Sequence, residues 1–297
     1  MRAWLRLLRI ANLPTAIANV LAGFLLANGT WQPVLPLCLL VIASACIYSA
    51  GMVLNDVFDS DIDAQERPNR PIPAGDIPQG TALNVGRILL IVGVALAFAA
   101  SWKSGLVGIL LAAAVWLYDG PLKRTFVAPF LMGSCRSLNI LMAGVAISTA
   151  PVLAIWYAIA IGVFITGVTW MARNEAAQEQ QSSQLIFGGV LIALGLAGVA
   201  TIVFCPTETP LFHAKFSKGF VILSVCMFIP IARNIVVAIV SPTSKTVQRT
   251  IISCLQSLII FDAMVCLLIE NGQPFYSIAL LGLLAVSFLL KRFAALT

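Results

Sequence analysis

The sequence predicts an all-α integral membrane protein that crosses the bilayer many times. Its 297 residues are 60% hydrophobic and only 10% charged, whereas about a quarter of the residues in a soluble domain are charged. The mean hydropathy is +0.98, and apolar runs long enough to cross a bilayer recur along the whole chain. Because lipid offers the backbone no hydrogen-bond partners, we expect these runs to be helices.

Ten apolar runs are assigned as membrane spans. They cover residues 12–29, 33–55, 81–101, 104–118, 127–149, 150–172, 184–205, 217–240, 247–269 and 273–290. The run at 247–269 is the least certain of them, since it carries two glutamines, Arg249 and Asp262. We find no soluble domain and no long linker, so residues 1–297 are interpreted as a single integral-membrane domain.

The positive charges indicate the orientation of the chain in the membrane. The net charge of +6 would also suit nucleic acid, but most Lys and Arg residues fall on one side when the loops are threaded alternately. An excess of Lys and Arg marks cytoplasmic loops. We therefore predict a multi-pass protein of the cytoplasmic (inner) membrane with both termini in the cytoplasm and no nucleic-acid partner. The seven cysteines show no paired or metal-like spacing and are interpreted as buried apolar residues.

An acidic stretch interrupts the apolar pattern at the cytoplasmic end of the second span. In "NDVFDSDID" (55–63), Asp56, Asp59 and Asp63 are spaced i, i+3 and i+7, which places them on one arc of a helix, while Asp61 points to the other side. Carboxylates held this close repel one another unless a cation lies among them. Oxygen ligands with room for water suit Mg²⁺, and Asn55 adds an amide oxygen.

Two arginines follow these carboxylates. Arg67 and Arg70 lie in "RPNRPIPAG" (67–75), and a planar guanidinium binds phosphate oxygens in a defined geometry. A solvated loop has a similar composition, but it has no reason to align three carboxylates at a membrane boundary. The stretch therefore predicts a site for a metal ion and a phosphate group.

Several motifs together resemble the UbiA superfamily of intramembrane prenyltransferases. "NDVFDSDID" fits the pattern N-D-x-x-D-x-x-x-D of that family, and "RPNRPIPAG" fits the R-P-x-R-P-[IL]-P-x-G that follows it. "YDGPLKR" (118–124), "RSLNILMAG" (136–144) and "RIANLPTAIANVLAG" (9–23) are similar to further family stretches. The resemblance covers most of the chain, and the first two patterns are long enough to be specific.

The resemblance implies a transmembrane bundle of nine to ten helices around a central cavity that opens near the cytoplasmic face. It also implies that two acidic motifs hold Mg²⁺ against the diphosphate of a prenyl donor, and that the acceptor is an aromatic ring or another lipophilic nucleophile. The residues expected to bind the diphosphate are Arg67, Arg70, Lys123 and Arg124. For Lys123 and Arg124 the alternative is plain anchoring at the cytoplasmic face, and the resemblance favours phosphate binding. The span at 273–290 would be a tenth helix, where the family usually has nine.

The second acidic motif departs from the family pattern. The family usually shows D-x-x-x-D here, whereas this chain reads "MARNEAAQEQQSSQ" (171–184), with Glu175 and Glu179 at the i, i+4 spacing. Both carboxylates can share one helix face, but Glu is longer and more flexible than Asp. We expect Glu175 and Glu179 to complete the metal site. The alternative is a degenerate second site that does not support turnover.

Other residues are candidates for the substrate cavity. The expected wall consists of Phe58, Tyr118, Phe130, Asn139, Trp170 and Asp262. An intramembrane carboxylate is a functional candidate, but Asp262 is equally well interpreted as a structural group bonded to Arg249 or Gln256. Arg136 lies one turn from Asn139, and the resemblance implies that both face the bundle interior. Asp119 is interpreted as a residue that caps or turns the chain.

Two functions of different classes follow. The first is magnesium-dependent transfer of a prenyl group from a prenyl diphosphate to an aromatic or other lipophilic acceptor, with Asp59 and Asp63 essential for catalysis. The second is binding or export of a lipophilic secondary metabolite by a catalytically altered protein, because the unusual second motif and the tenth helix resemble an outlying branch, the EboC-like proteins. An enzyme would depend on Glu175 and Glu179, whereas a carrier would tolerate their loss.

Overall fold

The structure, a computed structural model, describes residues 2–148, 151–173, 182–205, 218–269 and 274–296, and all regular elements in these ranges are helical. The α-helices are α1 (Arg2–Leu7), α2 (Leu13–Asn28), α3 (Val34–Phe58), α4 (Ser60–Glu66), α5 (Gln79–Ala100), α6 (Trp102–Asp119), α7 (Ala128–Gly144), α8 (Val152–Arg173), α9 (Ser182–Thr201), α10 (Lys218–Val240), α11 (Ser244–Cys266) and α12 (Phe275–Leu296). Short 3₁₀ turns cover Ile10–Asn12 and Ile202–Phe204.

The all-α transmembrane class is confirmed. The ten long helices of the described ranges occupy the ten predicted spans, which agrees with the expected nine to ten. By length and composition, seven of the segments they form are apolar enough to cross a membrane: Ile10–Asn28, Val34–Phe58, Gln79–Ala100, Val152–Arg173, Ser182–Phe204, Lys218–Val240 and Ser244–Cys266. Some boundaries differ from the prediction. For example, α7 ends at Gly144, whereas the predicted run continued to 149.

Helix α2 lies at the centre of the bundle and packs against α3, α7, α8, α11 and α12. The core around it is built from large side chains with no exposed surface, among them Phe24, Tyr157, Phe164 and Phe261. A smaller apolar cluster forms beneath the loop that follows α4, where Ile72 and Ile77 pack with Leu7 and Val57. This cluster fixes the arginine-rich N-terminus beside the acidic stretch.

Helices α7 and α8 approach closely because small residues face each other between them. A side chain at Gly133 or Gly162 would collide with the opposite helix, and small residues at such contacts let helix backbones approach in a membrane. The hydroxyl of Ser137 donates a hydrogen bond of 2.7 Å to the backbone carbonyl of Ala158 across this contact. The contact fixes α7, which carries Arg136 and Asn139.

Candidate active site

A cavity of about 530 Å³ lies inside the bundle, lined by residues of α2, α3, α6, α7, α8, α11 and α12 together with Asn12. Most of its wall is apolar, for example Ile47, Leu111 and Ile165. Tyr118 and Asn139, which were predicted to line a cavity, are part of the wall. Asn139 is fixed there, since it accepts a hydrogen bond from Ser44 at 2.7 Å and donates one to the carbonyl of Ala16 at 2.9 Å.

The acidic stretch forms the end of one helix and the start of another. Helix α3 ends at Phe58, Asp59 separates it from α4, and the backbone N–H of Asp63 donates to the carbonyl of Asp59 at 2.8 Å. The expectation of one continuous helical arc is therefore wrong. Asp56 and Asp63 are nevertheless both buried, and Asp61 is exposed as predicted.

The three aligned carboxylates of the first motif are each paired with a basic side chain. Asp56 accepts from Arg9 at 2.7 Å and from Arg70 at 3.2 Å, and the same Arg70 also pairs with Asp63. Asp59 pairs with Lys123 at 2.5 Å. The carboxylates and cations predicted to bind metal and diphosphate thus come together, and Arg9 joins them from the N-terminal segment.

The two other predicted diphosphate ligands lie further out. Arg67 and Arg124 are both exposed, and the backbone carbonyl of Arg124 accepts a long hydrogen bond of 3.4 Å from Arg173. Lys123 and Arg124 are neighbours in the loop between α6 and α7, yet only Lys123 is directed at a carboxylate among the described residues. The structure therefore separates these adjacent cations.

Asp119 connects the acidic motif to the cavity, a role that its interpretation as a capping residue missed. It lines the cavity, has only 4% of its surface exposed, and accepts a hydrogen bond of 3.1 Å from the side chain of Asn55. Asn55 and the three motif carboxylates are not themselves part of the cavity wall. The position of Asp119, directly after Tyr118 at the end of α6, was the available signal in the sequence.

Three aromatic residues predicted for the wall lie elsewhere. Phe58 is 40% exposed and packs edge-on against Trp116 at 5.4 Å between ring centroids. Phe130 and Trp170 belong to an aromatic cluster with Phe126. None of these side chains lines the cavity, because each points to the side of its helix that faces a neighbouring ring.

Asp262 is buried behind the cavity wall with no exposed surface. It accepts two hydrogen bonds from the amide of Asn19, at 3.0 and 2.9 Å, and one from the hydroxyl of Tyr157 at 2.7 Å. The expected partners, Arg249 and Gln256, are not bonded to it. Its expected place in the wall is also wrong, because α11 turns this residue towards α2 and α8.

Arg136 faces the cavity from α7, as the family resemblance implied. Its guanidinium donates to the side-chain oxygens of Asn19 and Thr15, both at 3.1 Å. Asn19 therefore lies between Arg136 and Asp262, with its oxygen towards the arginine and its nitrogen towards the carboxylate. This network joins α2, α7, α8 and α11.

The second acidic motif lies outside the described residues, since both Glu175 and Glu179 fall between 173 and 182. Ala172, the last cavity-lining residue of α8, precedes Glu175 by three positions. Within the described ranges, no group of three or more His, Cys, Asp or Glu side chains converges on a possible metal position.

The donor atoms of the first motif fit Mg²⁺. They are all oxygens, and Mg²⁺ is usually held by one or two protein carboxylates while water and substrate phosphate complete its shell. A pair of carboxylates is therefore sufficient, and Asp59, whose partner is a lysine, has the least burial of the three. The cations around the motif suit a substrate that brings negative charge of its own.

Comparisons with known proteins identify the family of this chain. The model of the UbiA prenyltransferase family matches residues 16–238. A digeranylgeranylglyceryl phosphate synthase of Methanoculleus marisnigri is 37% identical over 123 residues, which cover 41% of this chain and 43% of the relative. The corresponding enzyme of Methanopyrus kandleri is 31% identical over 161 residues, or 52% of this chain and 57% of the relative. The chain thus spans about half the length of the curated relatives it matches.

Solved structures share the fold over nearly the whole chain. A structure of a digeranylgeranylglyceryl phosphate synthase superposes with a TM-score of 0.68 at 20% identity, covering 96% of this chain and 97% of the other. A UbiA homologue from Archaeoglobus fulgidus bound to GPP and Mg²⁺ superposes with a TM-score of 0.62 at 15% identity, covering 94% and 99%. The motifs, the fold and the family match agree, and the chain belongs to the UbiA prenyltransferase family.

Proposed function

We propose that the protein transfers a prenyl group, in a magnesium-dependent reaction, from a prenyl diphosphate to a lipophilic acceptor held in the intramembrane cavity. One observation carries this proposal. Asp56, Asp59 and Asp63 meet Arg9, Arg70 and Lys123 at a site that Asn55 connects to the cavity. The site is polar and the cavity is mainly apolar, which matches a donor with an ionic diphosphate and an apolar chain.

The metal ligands we propose are Asn55, Asp56, Asp59, Asp63, Glu175 and Glu179. When bound, Mg²⁺ would neutralise negative charge on the diphosphate as it departs. Arg70 and Lys123 already lie against these carboxylates, so they are placed to stabilise phosphate oxygens once a metal takes over the carboxylates. Arg67 and Arg124, both exposed, are proposed to bind the outer phosphate.

The cavity supports the transfer itself. Cleavage of the bond between the allylic carbon and the diphosphate oxygen leaves the electron pair on the diphosphate, and the acceptor nucleophile attacks the allylic carbon and releases its proton. Apolar residues such as Ile165, Val168 and Leu258 line the space where this carbon would lie. They exclude water, which would otherwise capture the allylic cation.

The acceptor we favour is a glycerol-based lipid. Both relatives described above are named digeranylgeranylglyceryl phosphate synthase, and removal of one prenyl group from that product leaves a prenylated glyceryl phosphate. An aromatic acceptor was the other expectation from sequence, and no aromatic compound is named for these relatives. A glyceryl phosphate lipid has a polar end and an apolar tail, and the cavity wall likewise combines a few polar residues with a larger apolar part.

The proposed orientation of the protein in the membrane follows from its positive charges. We propose that the acidic motif faces the cytoplasm in the inner membrane, with both termini on that side. The basic residues around the motif, Arg6, Arg9, Arg67 and Arg70, satisfy the excess of positive charge expected of cytoplasmic segments, and a soluble prenyl diphosphate or its head group would reach the site from there.

The test is a screen with the purified full-length protein. Geranyl, farnesyl and geranylgeranyl diphosphate are each combined with geranylgeranylglyceryl phosphate or with an aromatic acceptor, with Mg²⁺ or with EDTA. We expect magnesium-dependent release of diphosphate together with a prenylated product. If no combination releases diphosphate while the protein binds lipids, the carrier function is supported and catalysis by this route is contradicted.

A further inference from the structure

A cation lies in the cavity away from the acidic motif. Arg136 lines the cavity wall and is only partly buried, so part of its side chain is accessible from the cavity. Its recorded hydrogen bonds use two of five guanidinium N–H groups and go to the neutral side chains of Asn19 and Thr15. In the described part of the chain, none of the ion pairs includes Arg136.

The counter-charge of Arg136 is Asp262, and Asn19 lies between the two side chains. Asp262 has no exposed surface, and its three recorded hydrogen bonds come from Asn19 and Tyr157. The amide oxygen of Asn19 in turn accepts a hydrogen bond from Arg136. A carboxylate that paired directly with the guanidinium would occupy the N–H groups that a ligand needs. The Asn19 bridge keeps the counter-charge near while leaving donors of Arg136 for the cavity.

Among the described residues, the carboxylates of the acidic motif pair with Arg9, Arg70 and Lys123 and not with Arg136. Arg136 lies eight residues after the start of α7 at Ala128, or about 12 Å along the helix axis. Lys123, which contacts Asp59, precedes that helix. A charged side chain inside a membrane protein usually marks a functional pathway or is paired, and Arg136 has no direct pair in the described chain.

We propose that Arg136 binds an anionic oxygen group, a phosphate or a carboxylate, carried by the acceptor, and that Asp262 is a positioning residue that orients Arg136 through Asn19. This inference rests on the proposed function and deepens it, since it states how the acceptor is selected. The prenyl diphosphate binds at the acidic motif, and the acceptor binds with its anionic end at Arg136. The apolar wall between the two sites receives the prenyl chains.

The test measures binding separately from turnover. The dissociation constants of geranylgeranylglyceryl phosphate and of its neutral counterpart, geranylgeranylglycerol, are determined with the full-length protein in nanodiscs without Mg²⁺ or donor. The wild-type protein is expected to favour the phosphate lipid. Arg136→Gln is expected to weaken the phosphate lipid about 10- to 100-fold, the range for a lost hydrogen bond to a charged group, and to leave the neutral lipid unchanged.

Two further variants and a donor measurement sharpen the result. Arg87→Gln is the matched control, because Arg87 is exposed and stacks on Trp116 outside the cavity; it should change neither affinity. Arg136→Lys keeps the positive charge and covers the case in which Arg136→Gln does not fold; it should lose part of the preference. Binding of geranylgeranyl diphosphate with Mg²⁺ should be unaffected in all of these variants.

The positioning role of Asp262 needs its own readout. Asp262→Asn keeps the shape of the side chain but removes the counter-charge, and we expect the preference for the phosphate lipid to fall about 3- to 10-fold while binding of the neutral lipid is retained. A residue that only stabilises the fold would lower both affinities together. Equal losses for the two lipids therefore contradict the positioning role.

Other outcomes overturn the main proposal. Wild-type protein that binds neither lipid, or both equally, contradicts an anionic subsite for the acceptor. If Arg136→Gln weakens the prenyl diphosphate and not the phosphate lipid, Arg136 belongs to the donor site. Failure of the proposed function would appear differently, as normal binding of the phosphate lipid without transfer of a prenyl group.

Discussion

Carboxylates at the two sites are held in opposite ways. At the acidic motif, Asp56 and Asp59 contact arginine and lysine side chains directly. Behind the cavity wall, Asp262 is hydrogen-bonded to the neutral side chains of Asn19 and Tyr157, and Asn19 also bonds to Arg136. Direct pairs can be exchanged for a metal and a phosphate, whereas removal of a carboxylate that is bonded to neutral donors leaves those buried donors without an acceptor. The first region is built for exchange of ligands and the second for fixed geometry.

The largest effect is expected where the exchange takes place. Asp59→Ala removes a proposed metal ligand, and since metal stabilisation of a transition state is worth several kcal/mol, we expect kcat/KM for diphosphate release to fall about 10³-fold. Asp61→Ala is the matched control in the same motif, because Asp61 is exposed. Similar losses in the two variants would remove Asp59 from the metal site.

Disruption of the hydrogen-bond network of Asp262, Asn19 and Tyr157 should instead lower the stability of the protein. Asp262→Ala leaves the amide of Asn19 and the hydroxyl of Tyr157 without an acceptor, and we expect roughly 3 kcal/mol of destabilisation, as for other broken buried networks. Tyr157→Phe removes one bond and should cost about 1 kcal/mol. Thermal unfolding in one detergent measures both variants. An Asp262→Ala protein as stable as the wild type would show that the network does not support the fold.

Glu175 and Glu179 test whether prenyl transfer needs the second acidic motif. The double variant Glu175→Ala, Glu179→Ala should reduce magnesium-dependent transfer about 100-fold, because each change removes a proposed oxygen ligand. Gln178→Ala, in the same segment, is the control and should have no effect. Normal lipid binding together with unchanged transfer in the double variant would show that the first motif suffices for catalysis.

The adjacent cations Lys123 and Arg124 should differ in a smaller but diagnostic way. Lys123→Gln removes the partner of Asp59 and should lower kcat/KM about tenfold, the loss expected for one charge-assisted hydrogen bond. Arg124→Gln changes an exposed side chain and should lower it only about twofold, because solvent and salt screen an exposed charge. A larger effect at Arg124 would reverse this assignment of the diphosphate ligands.

Much of the fold was predictable because lipid imposes simple rules on sequence. All ten predicted spans correspond to helices, even the polar run at 247–269, whose Asp262 is satisfied by Asn19 and Tyr157. The course of the chain at the acidic motif was less predictable. The prediction from the spacing i, i+3 and i+7 assumed a continuous helix, and the helix is interrupted at Asp59. Asp56 and Asp63 nevertheless both contact the same arginine, Arg70.

The candidate site was predictable where its residues follow one another in a motif. The carboxylates of the motif, Arg70 and Lys123 were expected to act together, and their contacts bring them together. Arg9 and Asp119 were missed as members of the site, because one lies in an N-terminal turn and the other looked like a helix end. The prediction that Phe58, Phe130 and Trp170 line the cavity was wrong for a related reason, since the sequence does not reveal which side of a helix faces a neighbour.

By itself the sequence determined the membrane class, the ten spans, the acidic motif and the family, because hydropathy, charge and motif spacing are local properties of the chain. Only the tertiary structure decided which side chains share the cavity and which are withdrawn from it. Asn19 and Asp262 are 243 positions apart, and no local pattern connects them. The packing of α2 against α7, α8 and α11 makes them one network and leaves Arg136 facing the cavity.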